Sequence, residues 1–109
     1  MDKIKIDTLD LWGNGLKKPL IMAGPCSAET EEQLLETSQR IKAVGVNIIR
    51  AGVWKPRTRP NNFEGIGEEA LRWIQRIKKE TGLMFAIEVA TPKHVYEAIK
   101  HNVDILWIG

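Results

Sequence analysis

The 109-residue sequence has little of several things, and each scarcity excludes a class of protein. Its single cysteine allows no internal disulfide bond, which favours a reducing compartment. A net charge of only +2 excludes a basic nucleic-acid arm and a strongly acidic solvating chain. No run approaches the roughly 18 apolar residues of a membrane span, and the amino terminus lacks the apolar stretch of a signal peptide. We therefore expect a cytoplasmic protein that binds neither nucleic acid nor membrane.

Short apolar runs recur along the chain and predict buried strands. At 43% apolar content and this length, the chain can form one modest core. Each run is bounded by glycine, proline or polar residues, as strands of a parallel sheet usually are. The predicted strands are Pro19–Ala23, Asn47–Gly52, Leu83–Val89 and Val103–Ile108.

Three helices are predicted between these strands. Thr30 and Gln33 form a capping box that opens a first helix of about 14 residues, and Gly45 ends it. A second helix runs from about Glu68 to Thr81, and a third begins at Thr91-Pro92. Their apolar stripes are Leu34, Leu35, Ile41 and Val44; Ala70, Leu71, Ile74 and Ile77; and Val95, Ala98 and Ile99.

The resulting order, β-α-β-α-β-α-β, predicts an α/β fold with parallel strands joined by right-handed crossovers. A doubly wound sheet and a (β/α)8 barrel both fit this order. A complete barrel needs about 250 residues, so the chain would supply roughly half of one. We expect residues 19–109 to form the amino-terminal part of a barrel, truncated after the fourth strand. Residues 1–18 would be an extension with a hairpin in Ile4–Trp12.

Reactive and charged residues collect where the predicted strands end, which is where parallel α/β folds bind ligands. Cys26 follows the first strand, Arg50 lies at the end of the second, and Glu88 lies near the end of the third. A long polar loop, Val53–Gly67, adds further cations. Arginine grips phosphate and carboxylate oxygens with paired donors, so this edge is predicted to bind an anion. The loop cations are Lys55, Arg57 and Arg59.

Each of these features also has a purely structural interpretation. Cys26 could be a small buried hydrophobe, and Arg50 could form an ion pair with Glu88. The loop cations could simply be solvated. We interpret both histidines, His94 and His101, as surface or helix-capping residues away from this edge, and the tryptophans as packing groups.

Five segments together resemble one family in order and spacing. They are Gly24–Glu29, Arg50–Thr58, Phe63–Gly67, Glu88–Val89 and Trp107–Gly109. The combination of Gly-Pro-Cys-Ser with Lys-Pro-Arg-Thr is the most specific part. Over about residues 19–109, the chain resembles the first half of 3-deoxy-D-arabino-heptulosonate 7-phosphate (DAHP) synthase in its shorter, Iβ-like form.

The resemblance implies a barrel enzyme of the shikimate pathway that condenses phosphoenolpyruvate with erythrose 4-phosphate and releases phosphate. It implies that Arg50 and Lys55 hold phosphoenolpyruvate, chiefly by its carboxylate, and that Arg57 and Thr58 hold erythrose 4-phosphate. Arginine stays protonated throughout, so it can neutralise these anions without reacting. The resemblance also implies a homo-oligomer for the full-length protein.

The same resemblance implies a metal-dependent reaction, with Lys55 and Glu88 as catalytic residues and Cys26 as a metal ligand. A thiolate ligand favours Mn, Fe, Co or Zn over Mg. The family's other ligands, a histidine, a glutamate and an aspartate, come from later strands. Because a catalytic metal needs about three protein ligands, we expect these 109 residues alone to catalyse nothing.

Three alternatives remain open. One is 3-deoxy-D-manno-octulosonate 8-phosphate synthase, which usually carries an Ala-Asn-Arg-Ser type loop where this chain has Lys55–Thr58. Another is a non-catalytic half-barrel that associates with a second half or with its own copy through exposed strand edges. The third is a phosphate-binding module that uses Arg50, Lys55 and Arg57 without a metal.

Overall fold

Four parallel strands and three helices alternate along the chain, as the sequence predicts. The computed structural model describes residues 20–54 and 65–109. The strands are β1 (Met22–Ala23), β2 (Ile48–Arg50), β3 (Met84–Val89) and β4 (Ile105–Ile108), in the order β1-β2-β3-β4. The helices are α1 (Glu31–Ala43), α2 (Glu68–Thr81) and α3 (Pro92–Lys100). The predicted amino-terminal hairpin lies outside the described residues.

The register of the sheet divides its side chains between two faces. Arg50 lies opposite Ala86 across β2 and β3, and Glu88 lies opposite Trp107 across β3 and β4. Because successive side chains of a strand point to opposite faces, Arg50, Glu88 and Trp107 share one face. The other face packs against the helices in a core that contains Ile49, Phe85, Ile87, Leu71 and Ile74.

The helix signals in the sequence are mostly confirmed. The Thr30 side chain accepts a hydrogen bond from the Gln33 N–H, and the Thr91 side chain accepts one from the His94 N–H. Gly82 ends α2 in the left-handed conformation, with φ of 74°. The four residues of the predicted α2 stripe are all buried. None of the described helices is both long and apolar enough to cross a membrane.

Two residues that the sequence predicts to be in the core are exposed instead. Val44 is 78% exposed, and it is the C-cap of α1, one residue past the end of the helix. Ile99 is 62% exposed, whereas Ala98 beside it is buried. The buried face of α3 therefore contains fewer residues than the apolar spacing of the sequence predicts. The ordered strands are also shorter than predicted. β1 contains only two residues, and within the described part of the chain it pairs with β2 alone.

Asp104 ties the start of β4 to its neighbours. Its carboxylate accepts a 2.8 Å hydrogen bond from the Phe85 N–H and one of 2.9 Å from the Lys78 ammonium. Lys78 also donates to the Asn102 carbonyl at 2.5 Å. One carboxylate thus links β3, the end of α2 and the start of β4.

We predict that Asp104→Ala lowers the free energy of unfolding by about 1–3 kcal/mol, because it leaves the Phe85 N–H without its acceptor. Asp104→Asn keeps an acceptor and should lose less. Glu36→Ala is the matched control, since it removes an exposed ion pair with Arg40 that is worth at most about 1 kcal/mol. Urea unfolding measures all three; equal losses in Asp104→Ala and Glu36→Ala would contradict the assignment.

Candidate active site

The carboxyl edge of the sheet, where β1, β2 and β3 end, gathers three of the residues predicted from the sequence. Arg50 is the last residue of β2, Glu88 is the penultimate residue of β3, and Cys26 follows β1 by three residues. All four strands are parallel, so these positions lie at the same edge. Cys26 is exposed, while Arg50 and Glu88 are partly buried.

Gly24 allows the chain after β1 to lie directly against the end of β2. A Cβ atom at Gly24 would overlap the carbonyl oxygen of Arg50, and the φ of 154° at Gly24 also disfavours other residues. Four residues later, the Ala28 N–H donates to the Gly52 carbonyl at 2.9 Å. These two contacts fix the segment carrying Cys26 beside Arg50.

The Gln33 side chain secures the same segment from α1. Its Oε1 accepts a hydrogen bond from the Glu29 N–H at 3.1 Å, and its Nε2 donates to the Ser27 carbonyl at 3.3 Å. Gln33, the third residue of α1, therefore also shapes the turn that presents Cys26. The Ser27 hydroxyl is buried and has no hydrogen-bond partner among the described residues.

Arg50 lies beside an aromatic ring rather than a carboxylate. The central carbon of its guanidinium lies 5.5 Å from the centroid of the Trp107 ring, within the range of a cation–π interaction. Its Nε is buried and has no hydrogen-bond partner among the described residues. The ion pairs found in the described part of the chain do not include one between Arg50 and Glu88. Arg50 thus keeps an unsatisfied donor that an anion would satisfy.

Glu88 lies on the same face of the sheet, beside the end of β4. Its carboxylate occupies the space that a Cβ atom at Gly109 would take, so the two residues are in close contact. Beyond Glu88, an apolar hollow of about 450 Å³ opens between the end of β3 and the start of α3. Its lining is formed by Val89, Ala90, Thr91, Pro92, Val95 and Ile108.

The remaining predicted site residues, Lys55, Arg57 and Thr58, lie outside the described residues, as does Arg59. The structure does describe both flanks of that segment. The Gly67 N–H donates to the Val53 carbonyl at 3.0 Å, and a Cβ atom at Gly65 would overlap the same carbonyl oxygen. The two flanks therefore touch at the carboxyl edge.

The prediction that both histidines lie away from the carboxyl edge is wrong for His94. His94 stacks on Trp54, with ring centroids 4.0 Å apart and planes inclined by 6°. Its Nδ1 accepts a hydrogen bond from the Ala90 N–H at 3.1 Å. His101 caps the end of α3 as predicted, but it is only 7% exposed. Sequence reasoning missed the Trp54–His94 contact because the only local signal at His94 is its spacing from the Thr91 cap.

The described residues include a group of three that could hold a cation, and Cys26 is not among them. Ligand atoms of Glu68, Glu97 and His101 all lie within 4.8 Å of one another, between α2 and α3. The Nδ1 of His101 donates to the Glu97 carbonyl at 2.8 Å, so a ligand role for His101 would need its other nitrogen. The group belongs to the helical layer rather than to the strand ends.

The fold and the charged residues at the carboxyl edge of the sheet define the class of this protein, a parallel α/β protein with a candidate ligand-binding edge. Comparison with known proteins gives the family. The sequence matches the DAHP synthetase I family over residues 3–109. The chain belongs to this family, which confirms the resemblance identified from its motifs.

Relatives of two kinds match the chain. A phospho-2-dehydro-3-deoxyheptonate aldolase of Thermotoga maritima is 36% identical over 89 residues, which are 82% of this chain and 26% of that protein. A 2-dehydro-3-deoxyphosphooctonate aldolase of Desulfatibacillum aliphaticivorans is 37% identical over 102 residues, covering 86% and 37% respectively. The chain thus spans about a quarter to a third of the length of these relatives.

A solved structure supports the fold. The crystal structure of the Thermotoga maritima DAHP synthase matches with a TM-score of 0.73 and 34% identity, covering 81% of this chain and 25% of that one. The expected amino-terminal part of a (β/α)8 barrel is thereby confirmed.

We predict that Gly24→Ala destabilises the fold more than Gly45→Ala, by about 1–3 kcal/mol of unfolding free energy. Both glycines have positive φ, but a Cβ atom at Gly45 meets nothing within 4 Å, whereas one at Gly24 overlaps the Arg50 backbone. Comparing the two variants separates the steric overlap of a Cβ atom with the Arg50 backbone from the strain that positive φ imposes on any alanine. Denaturant unfolding measures the difference, and equal losses would contradict the close approach.

A second prediction concerns pH. Burial, and secondarily the charge of Lys93, lowers the pKa of His94 below its ordinary 6.5. As pH falls through about 6.5, the unfolded chain binds a proton before the folded chain does, so stability should decline until folded His94 is also protonated.

His94→Phe should remove that part of the decline while keeping an aromatic ring against Trp54. Urea unfolding of both proteins across this pH range measures the difference. Glu31 does not interfere with the test. Its hydrogen bond with Arg76 lowers its carboxyl pKa below the ordinary 4.5, so any change in stability from its protonation occurs at a lower pH than that of His94. Parallel pH curves for the two proteins would contradict the prediction.

Proposed function

We propose that the carboxyl edge binds phosphoenolpyruvate and erythrose 4-phosphate, and that the protein carrying it is a cytoplasmic DAHP synthase. The observation that carries this proposal is Arg50. Its guanidinium lies at the end of β2 beside Trp107, without a carboxylate partner among the described residues and with a buried unsatisfied Nε. Arg50 would grip the carboxylate of phosphoenolpyruvate, with Lys55 as the second cation. Arg57 and Thr58 would hold erythrose 4-phosphate.

The reaction joins the two substrates by one carbon–carbon bond. The enol carbon of phosphoenolpyruvate attacks the aldehyde carbon of erythrose 4-phosphate, and the aldehyde oxygen takes up a proton. Water adds to the carbon that bears the phosphate, the bond between that carbon and the phosphate oxygen then breaks, and the water oxygen stays as the keto oxygen of the product. Of the two protons of the water, one balances the proton taken up by the aldehyde oxygen and the other leaves with inorganic phosphate. Glu88, on the same face as Arg50, would orient that water beside the reacting carbons. Lys55 would stabilise the developing negative charge.

A divalent metal fits this proposal through Cys26. The thiol is exposed at the carboxyl edge, on a segment fixed beside Arg50, and a thiolate suits Mn, Fe, Co or Zn. When bound, the metal would polarise the aldehyde oxygen. One thiolate cannot hold such an ion, and Cys26 belongs to no group of three ligands among the described residues. We therefore propose that the 109 residues do not complete the reaction alone.

The choice between the heptulosonate and octulosonate activities rests on Lys55–Thr58. Relatives with both names match the chain, so shared fold and edge do not separate the two substrates. The Lys-Pro-Arg-Thr sequence, in place of an Ala-Asn-Arg-Ser type loop, supports the four-carbon sugar phosphate. The match to a Thermotoga maritima heptonate aldolase supports the same choice.

The substrate proposal predicts that the chain binds phosphoenolpyruvate and that Arg50→Ala weakens binding by roughly 10- to 100-fold, the effect of losing a charge-assisted hydrogen bond. Arg40→Ala is the matched control, because Arg40 pairs with Glu36 in the last turn of α1, near the opposite edge of the sheet. Titration calorimetry measures both. Equal affinities would overturn the role of Arg50, and no binding by the unmodified chain would overturn the proposal.

Activity is tested by adding what the chain does not span. The 109-residue chain is mixed with the segment of the Thermotoga maritima synthase that follows the matched region, and phosphate release from both substrates is measured. We expect release only in the mixture, sensitive to chelator and lost in Cys26→Ala. Release by the 109 residues alone, above a Cys26→Ala control, would overturn the inactivity proposal. Binding in the mixture without turnover, unaffected by chelator, would favour a plain phosphate-binding module.

Association is the second candidate function. Ile108 at the β4 end of the sheet is 85% exposed, and Ile21 and Met22 at the β1 end are 54% and 42% exposed. Apolar, unpaired strand edges favour pairing with another chain. Size-exclusion chromatography should then show dimers or larger species, and a clean monomer would contradict association.

A further inference from the structure

The stack of His94 on Trp54 joins two segments that each carry predicted site residues. Trp54 follows β2, and the next residue in the chain is Lys55. His94 belongs to the first turn of α3, which follows β3 and Glu88. The rings are parallel within 6° and 4.0 Å apart. This contact connects the carboxyl ends of neighbouring strands without using backbone hydrogen bonds of the sheet.

His94 is itself held in place from two directions. Its N–H donates to the Thr91 hydroxyl at 3.1 Å, and its Nδ1 accepts from the Ala90 N–H at 3.1 Å. Because Nδ1 is the acceptor, the hydrogen of the neutral ring is on Nε2. Both anchors lie within four residues of His94, so the backbone and the ring of His94 are held by contacts within its own turn.

Trp54 also lies close to Gly67. A Cβ atom at Gly67 would lie 3.6 Å from its indole nitrogen, and the Gly67 N–H is bonded to the carbonyl of Val53. Residues 53–54 and 65–67 thus form a neck, the paired chain segments on either side of residues 55–64. The His94 ring is the contact that ties this neck to α3.

We infer that His94 is a positioning residue, which acts through Trp54 to fix the neck, and Trp54 directly precedes Lys55 in the sequence. The inference rests on the proposed substrate function. Precise placement of binding groups matters because binding through paired charges is sensitive to small displacements. His94 itself would contact no substrate, since its ring face is covered by Trp54.

The test separates stacking from stability in the 109-residue chain. The variants are His94→Ala, which removes the ring; His94→Phe, which restores an aromatic face without Nδ1; and Tyr96→Ala. Tyr96, on the same helix and 66% exposed, is the matched control. For each variant we measure phosphoenolpyruvate affinity by calorimetry, thermal unfolding, and amide hydrogen exchange at Gly67 by NMR.

We expect His94→Ala to weaken phosphoenolpyruvate binding by roughly three- to tenfold, the scale of one aromatic pair, and to speed exchange at Gly67. His94→Phe should restore both, and Tyr96→Ala should change neither. Faster exchange with unchanged affinity would overturn positioning and leave a purely structural contact. Unchanged exchange would overturn the inference outright, as would a His94→Phe variant that behaves like His94→Ala.

The failure of the proposed function has a different signature. If the unmodified chain binds no phosphoenolpyruvate, the substrate assignment fails, and positioning of substrate-binding residues is overturned with it. The exchange comparison then still reports whether His94 holds the neck. A loss of thermal stability in His94→Ala that His94→Phe restores, with affinity unchanged in both, again identifies a structural role and contradicts the inference.

Discussion

The parallel pairing of β2 with β3 is the constraint on which the candidate site depends. It sets Arg50 opposite Ala86, two residues before Glu88, and so places both charged side chains on the face away from the helices. A slip of one residue would turn one strand over and bring Glu88 towards the core of Ile49 and Phe85. The apolar side chains on the helical face therefore hold the register, and the register in turn places the charges.

Much of this arrangement can be predicted because its signals are local. Thr30 and Gln33 specify the start of α1 within four residues, and Gly82 specifies the end of α2 by its left-handed conformation. Exposure is less predictable, because it depends on what packs against each face. Ile99 has the spacing of a core residue on α3, yet it is exposed, because the described contacts of α3 are with α2 and β3 on its other side.

The candidate site likewise has a part that can be predicted from the sequence and a part that cannot. The rule that parallel strands end at one edge places Cys26, Arg50 and Glu88 together before any coordinates are known. The partners of these residues cannot be predicted so simply. Trp107 lies 57 positions from Arg50, and His94 lies 40 positions from Trp54, so no short pattern connects either pair. Both contacts involve tryptophans, and a tryptophan in the sequence predicts packing without indicating which residue it packs against.

Arg50 links the stability of the fold to its proposed chemistry. A buried donor without a partner costs about 1–3 kcal/mol, while a cation–π contact returns only about 0.5–2 kcal/mol. An ion pair with Glu88 would satisfy the donor, but it would also neutralise the charge that an anionic substrate needs. Trp107 offers a third solution, because the face of an aromatic ring stabilises the cation without occupying its hydrogen-bonding edge. The guanidinium is thus held in place and left able to bind, so a bound carboxylate would supply the hydrogen bond that the fold leaves unmade.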